Sequence, residues 1–222
     1  MKLIVTIPAY NEEKSIAEVI REIPREINGI NEVKVLVIDD GSIDNTAKIA
    51  KEAGGDYIVS HRTNLGLAKA FKTGLETALK LGADVIVNID ADGQYNIKEI
   101  PKLIKPILDG KADIVIGDRQ INKIDHMQKA KKIGNRIATW ITCILTGLQI
   151  RDAQSGFRAF SREAALRLNL LGDYTYVQEM IIQAVNKKLM IEWVPVEFRK
   201  REGKSRLISN IFIYAVRAGI TM

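Results

Sequence analysis

DVIVNIDADGQ (84–94) joins an apolar run to three oxygen-bearing side chains, Asp90, Asp92 and Gln94, at every second position. The run has the length and β-branched content of a buried strand. In extended chain alternate residues point the same way, so two carboxylates and an amide would crowd one small space. Like charges that close repel unless a cation or hydrogen-bond donors lie among them. A hard divalent cation such as Mg²⁺ or Mn²⁺ takes oxygen ligands, usually one or two carboxylates, and completes its shell with water and phosphate oxygens. A bound diphosphate would supply those oxygens. The plainer reading is a turn whose Asp caps a helix over 97–109; it suits any one of the three residues, whereas the set at a strand end points to a ligand.

Four further apolar runs, "LIVTI" (3–7), "VKVLVI" (33–38), "YIVS" (57–60) and "DIVIG" (113–117), alternate with amphipathic stretches near 14–27, 45–53, 67–81 and 97–109. This βαβα pattern predicts a parallel sheet buried on both faces between helices, an α/β fold. Ligands of such sheets bind at the carboxyl ends of the strands. The polar residues gather there: "PAYNEE" (8–13), "DDGSIDNT" (39–46), "RTNLGLAKA" (62–70), "DADGQ" (90–94) and "GDR" (117–119). In the second of these, Asp44 or Asn45 can cap the next helix, which leaves Asp39 and Asp40 to accept from a base or a ribose. In the third, Gly66 precedes a helix whose first amides, with Lys69, are placed to meet phosphate. No G-x-G-x-x-G follows the first strand and no G-x-x-x-x-G-K-[ST] occurs, so dinucleotide dehydrogenase and P-loop readings lose their support.

Beyond Arg119 a basic segment leads into an uncharged stretch, 137–150, in which Ile133, Ile137, Trp140, Ile141, Ile144, Leu145 and Leu148 share one helical stripe. A basic segment beside an apolar helix with Trp140 reads as membrane-interfacial, with core packing as the competing reading. Then follow "RDAQSGFRAF" (151–160), helices over 161–168 and 177–187, a strand over 191–198, a basic turn and a final amphipathic helix over 207–222.

The 222 residues, 46% hydrophobic, suffice for one well-buried domain with a C-terminal appendage. Cys143 stands alone, which excludes an intramolecular disulfide, and His61 and His126 lie far apart, which argues against zinc. No run is long enough for a membrane span and the amino terminus lacks a signal-peptide core, so the chain is expected in the cytoplasm. A net charge of +6 suits an anionic partner. Aromatics at 6% leave little for base stacking, so nucleic acid is not expected.

Taken in order, "PAYNEE", "VIDDGSIDNT" (37–46), "NLGLAKA" (64–70), "DADGQ", "GDR", "QSGFRAF" (154–160) and "REGKSR" (201–206) resemble the family 2 glycosyltransferases of GT-A fold, in particular dolichol-phosphate mannose synthase-like enzymes. The resemblance implies a GT-A domain over 1–206, including a basic and amphipathic interface segment at 119–150, followed by an amphipathic helix at 207–222. It implies that Pro8, Tyr10, Glu12, Asp39, Asp40, Lys69 and Asp90 bind the nucleotide sugar, and that Asp90, Asp92 and Gln94 gather Mg²⁺ or Mn²⁺. Catalytic roles fall to Asp92, Arg119, Arg158 and Arg201. The acceptor's phosphate falls to Arg119, Arg158, Arg201, Ser205 and Arg206. The implied reaction is inverting transfer of a hexose, mannose or another, from a GDP- or UDP-linked donor to dolichyl or another polyprenyl phosphate. It would take place peripherally on the anionic inner face of the cell membrane, since many relatives continue into transmembrane helices and this chain stops at Met222. Two features depart from the pattern: Tyr95-Asn96 replaces a His-Pro-like continuation, and Arg206 stands where lysine is common. The Q-x-x-R-W signature of processive synthases is missing. The alternatives are a same-fold enzyme acting on a glycan hydroxyl, for which Asp152 and Glu179 are candidate bases, and a catalytically silent sugar-nucleotide-binding module. A phosphate acceptor needs no base, so Asp152→Asn and Glu179→Gln are expected to retain turnover.

Overall fold

The computed structural model of the protein describes residues 1–125, 127–170 and 176–200. Seven strands, β1 (Lys2–Ala9), β2 (Glu32–Asp39), β3 (Tyr57–Ser60), β4 (Val85–Asn88), β5 (Ile114–Asp118), β6 (Arg158–Ser161) and β7 (Ile191–Pro195), form one sheet in the order β3-β2-β1-β4-β6-β5-β7. Six of them run parallel: the five that the βαβα pattern predicts so, and β7, which pairs with β5. The seventh, β6, is antiparallel to both of its neighbours, with Asn88 opposite Arg158 and Ile114 opposite Phe160. It begins in "RDAQSGFRAF" and ends at Ser161, and four strand residues that include a buried arginine carry no period-two signal.

The strands are apolar on both sides because helices cover both faces. Leu3, Val5 and Ile7 pack with α1 (Ile16–Glu22), α2 (Thr46–Glu52) and α4 (Ile100–Leu108). Ile4 belongs to the opposite layer, with α3 (Leu67–Lys80), α6 (Arg162–Arg167) and α7 (Tyr176–Asn186). Several elements are shorter than their patterns. Helix α1 stops at Glu22 because Ile23 precedes a proline and is extended (ψ 120°). The helix expected over 97–109 opens with a 3₁₀ turn, Ile97–Glu99. Strand β7 stops at Pro195, which is tolerated because β7 lies at the sheet edge.

Helix α5 (Lys129–Thr146) contributes almost nothing to either core: Thr142 is its single buried residue. The predicted apolar stripe faces outward instead, with Ile133, Ile137, Trp140, Ile144 and Leu145 between 52% and 63% exposed. The core-packing reading of 133–148 is therefore set aside. No helix among the described residues is long and apolar enough to cross a membrane. The helix expected over 207–222 lies outside the described residues.

Candidate active site at the carboxyl edge of the sheet

The turns after β1 and β2 are locked together. Asn11, in a left-handed conformation (φ 54°), donates its N–H to Ser42 Oγ at 2.9 Å, and its side-chain oxygen accepts from Ile43 N–H at 2.9 Å. Glu12 N–H donates to Thr46 Oγ1 at 2.8 Å. Gly41 (φ +72°) is required twice over, since a Cβ there would lie 2.6 Å from Asn64 N. The turn thus abuts the backbone after β3 and brings three strand ends into one rim. Pro8 is buried, Tyr10 is 37% exposed and Lys69 is exposed on that rim.

The paired acids after β2 have different surroundings. Asp39, 5% exposed, accepts from Ser42 N–H at 3.1 Å. Asp40, 3% exposed, sits 2.7 Å from His61 Nδ1 and accepts from Leu65 N–H at 2.9 Å and Gly66 N–H at 2.8 Å. The Nε2 of His61 in turn lies 3.0 Å from Thr73 Oγ1. These two amides lie just before α3, and a buried anion takes the nearest donors; the amides expected to meet phosphate are the first ones of α3 itself, from Leu67 on, which Asp40 does not occupy.

The central acids do not lie on a continuing strand. β4 ends at Asn88, and the chain turns through Gly93 (φ +71°), with Asp92 Oδ1 accepting from Gln94 N–H at 3.2 Å. The alternation survives within the turn: Ile89, Ala91 and Tyr95 are buried while Asp90, Asp92 and Gln94 are half-buried. Capping of the next helical turn falls to Asn96, whose side chain accepts from Lys98 N–H at 3.3 Å. The plainer reading of the acids as caps is thereby removed. Among the described residues no group of three or more His, Cys, Asp or Glu side chains gathers as a cation cage. Two carboxylates and an amide fit a hard cation that completes its shell with water and phosphate oxygens.

Arg119, after β5, meets Asp152 in a buried two-pronged ion pair: Nε to Oδ2 at 2.7 Å and Nη2 to Oδ1 at 2.9 Å. Nη2 also donates to Asn135 of α5 at 3.2 Å, and the guanidinium lies over the Phe198 ring at 5.4 Å. Burial pushes the Asp152 carboxyl up, but the Arg119 charge and the N–H groups of Gln154 and Arg119 outweigh it and hold it below the usual carboxylate range. Arg158 is only 1% exposed; its Nε donates to Ser155 O at 2.7 Å and its Nη1 lies 3.4 Å from Met180 Sδ. It therefore lies beneath the edge rather than on it. Glu179, on α7, accepts from Gln183 Nε2 at 3.0 Å. Arg201, Ser205 and Arg206 lie outside the described residues.

Beside Arg119 a cavity of about 290 Å³ is lined by Gln120, Lys123, Ile124, Asp125, Val196 and Phe198. A second, of about 550 Å³, shares Gln120 and Lys123 with it and continues past Arg136, Trp140 and Arg151 on and near α5. Sequence reasoning missed Asn135, Phe198 and the role of Tyr95. Each is an ordinary residue whose significance comes from contacts 16 to 103 positions away along the chain, namely Asn135 to Arg119, Phe198 to Tyr95 and Tyr95 to Gly156.

The sequence profile described as Glycosyl transferase family 2 matches residues 4–168. A UDP-N-acetylglucosamine–dolichyl-phosphate N-acetylglucosaminyltransferase of Methanococcus voltae is 37% identical over 231 residues, spanning 93% of this chain and 89% of that protein. A dolichyl-phosphate hexose transferase of Haloferax volcanii is 31% identical over 206 residues, spanning 92% of this chain and 86% of its own. Among solved structures, glucosyl-3-phosphoglycerate synthase from Mycobacterium tuberculosis, in complex with Mn²⁺, UDP and phosphoglyceric acid, superposes with a TM-score of 0.71 at 23% identity, covering 92% of this chain and 72% of that one.

Proposed function

The chain belongs to family 2 of the glycosyltransferases and has the GT-A fold, and on that premise we propose that it moves one hexose-type sugar from a nucleoside diphosphate sugar to a polyprenyl phosphate. The observation that carries this reading is Arg119, which is close enough to Asp90 to feel its charge and lines a cavity on its other flank, beside Lys123 and Phe198. The ion pair uses Nε and Nη2 of Arg119, and among the described residues Nη1 donates no hydrogen bond, so it can serve a phosphate in the adjoining cavity. An amphiphile with an anionic head and an isoprenoid tail suits this pair of neighbouring cavities, the second of which offers Ile121, Trp140, Cys143 and Ile150 to the tail. The relatives that act on dolichyl phosphate support the same acceptor.

In this reading Pro8, Tyr10, Glu12 and Asp39 receive base and ribose, Asp40 holds the rim they form, and Lys69 attends the donor. Asp90, Asp92 and Gln94 hold Mg²⁺ or Mn²⁺, which supplies charge to the departing diphosphate. Arg119 and Lys123 orient the acceptor phosphate for attack on the anomeric carbon from the side opposite the leaving group, so the configuration inverts. A phosphate monoester is largely ionised at pH 7 and surrenders no proton to the protein. A hydroxyl acceptor would need a base poised near neutrality. Asp152, held ionised against Arg119, is not one, which removes one of the two candidate bases of the glycan-hydroxyl alternative. Arg158 acts from below through its charge, and Arg201, Ser205 and Arg206 remain proposed phosphate contacts. Labelled UDP- and GDP-sugars screened against a lipid-phosphate extract, with and without chelator, test the proposal. Metal-dependent transfer into the lipid fraction is expected, and transfer only into water-soluble products would overturn it.

The outward stripe of α5, flanked by exposed Lys129, Lys131 and Arg136 and half-buried Lys132, supports peripheral binding to an anionic membrane on its cytoplasmic face. Basic residues at such a surface contribute about 1 kcal/mol each and are screened by salt. Trp140→Ala combined with Lys131→Glu and Lys132→Glu is therefore expected to reduce sedimentation with phosphatidylserine vesicles strongly while donor affinity is kept. Unchanged sedimentation would remove α5 from the membrane.

A further inference from the structure

Tyr95 marks the point where the sequence leaves the pattern it otherwise resembles, and its surroundings explain what a tyrosine does there. The ring is 2% exposed, 5.4 Å from Phe157 and 5.1 Å from Phe198. Within this apolar setting its hydroxyl oxygen accepts from Gly156 N–H at 2.8 Å and lies 3.4 Å from Ser155 Oγ. Ser155 and Gly156 are held from other sides as well: Arg158 Nε donates to Ser155 O at 2.7 Å, and Asn88 Nδ2 donates to Gly156 O at 2.9 Å. The peptide tied down in this way is the surface against which Asp90 rests. A Cβ at position 156 would lie 2.8 Å from Asp90 Cγ, so any larger residue there would have to push the carboxylate aside.

We propose that Tyr95 is a positioning residue for Asp90: its hydroxyl fixes the Ser155–Gly156 peptide on which the Asp90 carboxylate rests, and so fixes the direction from which that carboxylate meets a divalent cation. The inference rests on the reading of Asp90 as a cation ligand. Without the hydroxyl, the Gly156 N–H loses its acceptor in a partly buried setting, a state that the peptide relieves by rotating. The carboxylate then loses its support. Partners outside the coordination shell orient the ligands, and their loss weakens metal binding about 10- to 100-fold.

The test is Tyr95→Phe, which keeps both aromatic contacts and removes one oxygen. Mn²⁺ is titrated by electron paramagnetic resonance in the presence of saturating UDP and, separately, GDP, alongside nucleotide binding without metal. Mn²⁺ affinity is expected to fall about tenfold or more, with metal-free nucleotide binding unchanged. Gly156→Ala keeps Tyr95 and presses on Asp90 directly, so it too should weaken Mn²⁺ binding, and it decides the matter should Tyr95→Phe not fold. Wild-type Mn²⁺ affinity in Tyr95→Phe, or in Gly156→Ala when the first variant is unfolded, overturns the positioning role alone. Absence of Mn²⁺ binding by the wild-type protein with either nucleotide overturns the cation site and the positioning role with it.

Discussion

Asp92→Asn is expected to lower sugar transfer by about two to three orders of magnitude, comparable to the loss of a key electrostatic group at a developing charge, with the fold unchanged. The side chain is half-buried on a turn, outside both hydrophobic layers, so the substitution removes no packing. The N–H of Gln94, which donates to Oδ1 at 3.2 Å, keeps its acceptor because the asparagine carbonyl accepts equally well. What disappears is a negative charge at the point where a cation would neutralise the leaving diphosphate. Circular dichroism and melting temperature should match the wild type while turnover collapses. Chelation of the wild type should have the same effect and added Mg²⁺ or Mn²⁺ should reverse it. Full activity of the variant, or of metal-stripped protein, would remove the metal from the mechanism.

Asp152→Asn is expected to have the largest effect on stability, a loss of about 3–5 kcal/mol at pH 7, as for a buried pair deprived of one partner. Asp152 is completely inaccessible, and its two oxygens face Arg119 Nε and Nη2. Asparagine cannot balance that charge. The sign of the pH dependence follows from the lowered carboxyl pKa: the stabilisation is fully present above the unfolded-state value near ~3.9 and is lost as pH falls through the lower folded-state value. Urea unfolding should therefore show a wide gap between wild type and variant at pH 7 that narrows in strong acid. Equal stability at pH 7 would mean that Arg119 is not held by this pair. Asp152→Asn should for the same reason lower turnover rather than spare it, since Asp152 orients Arg119 even though no base is needed.

The sequence announces the parallel core because Val, Ile and Leu fill both faces of β1, β2 and β4, and it announces the site edge because polar segments follow those strands. Three things escape it. The antiparallel β6 is short, and its pairing with Val85–Asn88 spans about seventy residues of chain, which no local period reports. The division of labour between Asp39 and Asp40 depends on His61 and the start of α3, which only tertiary packing brings near. The glycine at 156 reads as part of a motif, but its reason is the Asp90 carboxylate above it. Helix α5 is the opposite case. Its stripe was legible, and the structure supplied the side on which it faces.

The central claim, sugar transfer to an ionised lipid phosphate, is tested most directly by acceptor competition. The purified chain, Mg²⁺ and a labelled nucleoside diphosphate sugar would be supplied with a short-chain polyprenyl phosphate in one reaction and the matching free polyprenol in the other. The account predicts a glycosyl phosphate lipid in the first and no glycosylated lipid in the second; a glycosylated alcohol formed as readily as, or more readily than, the phosphate product would contradict it.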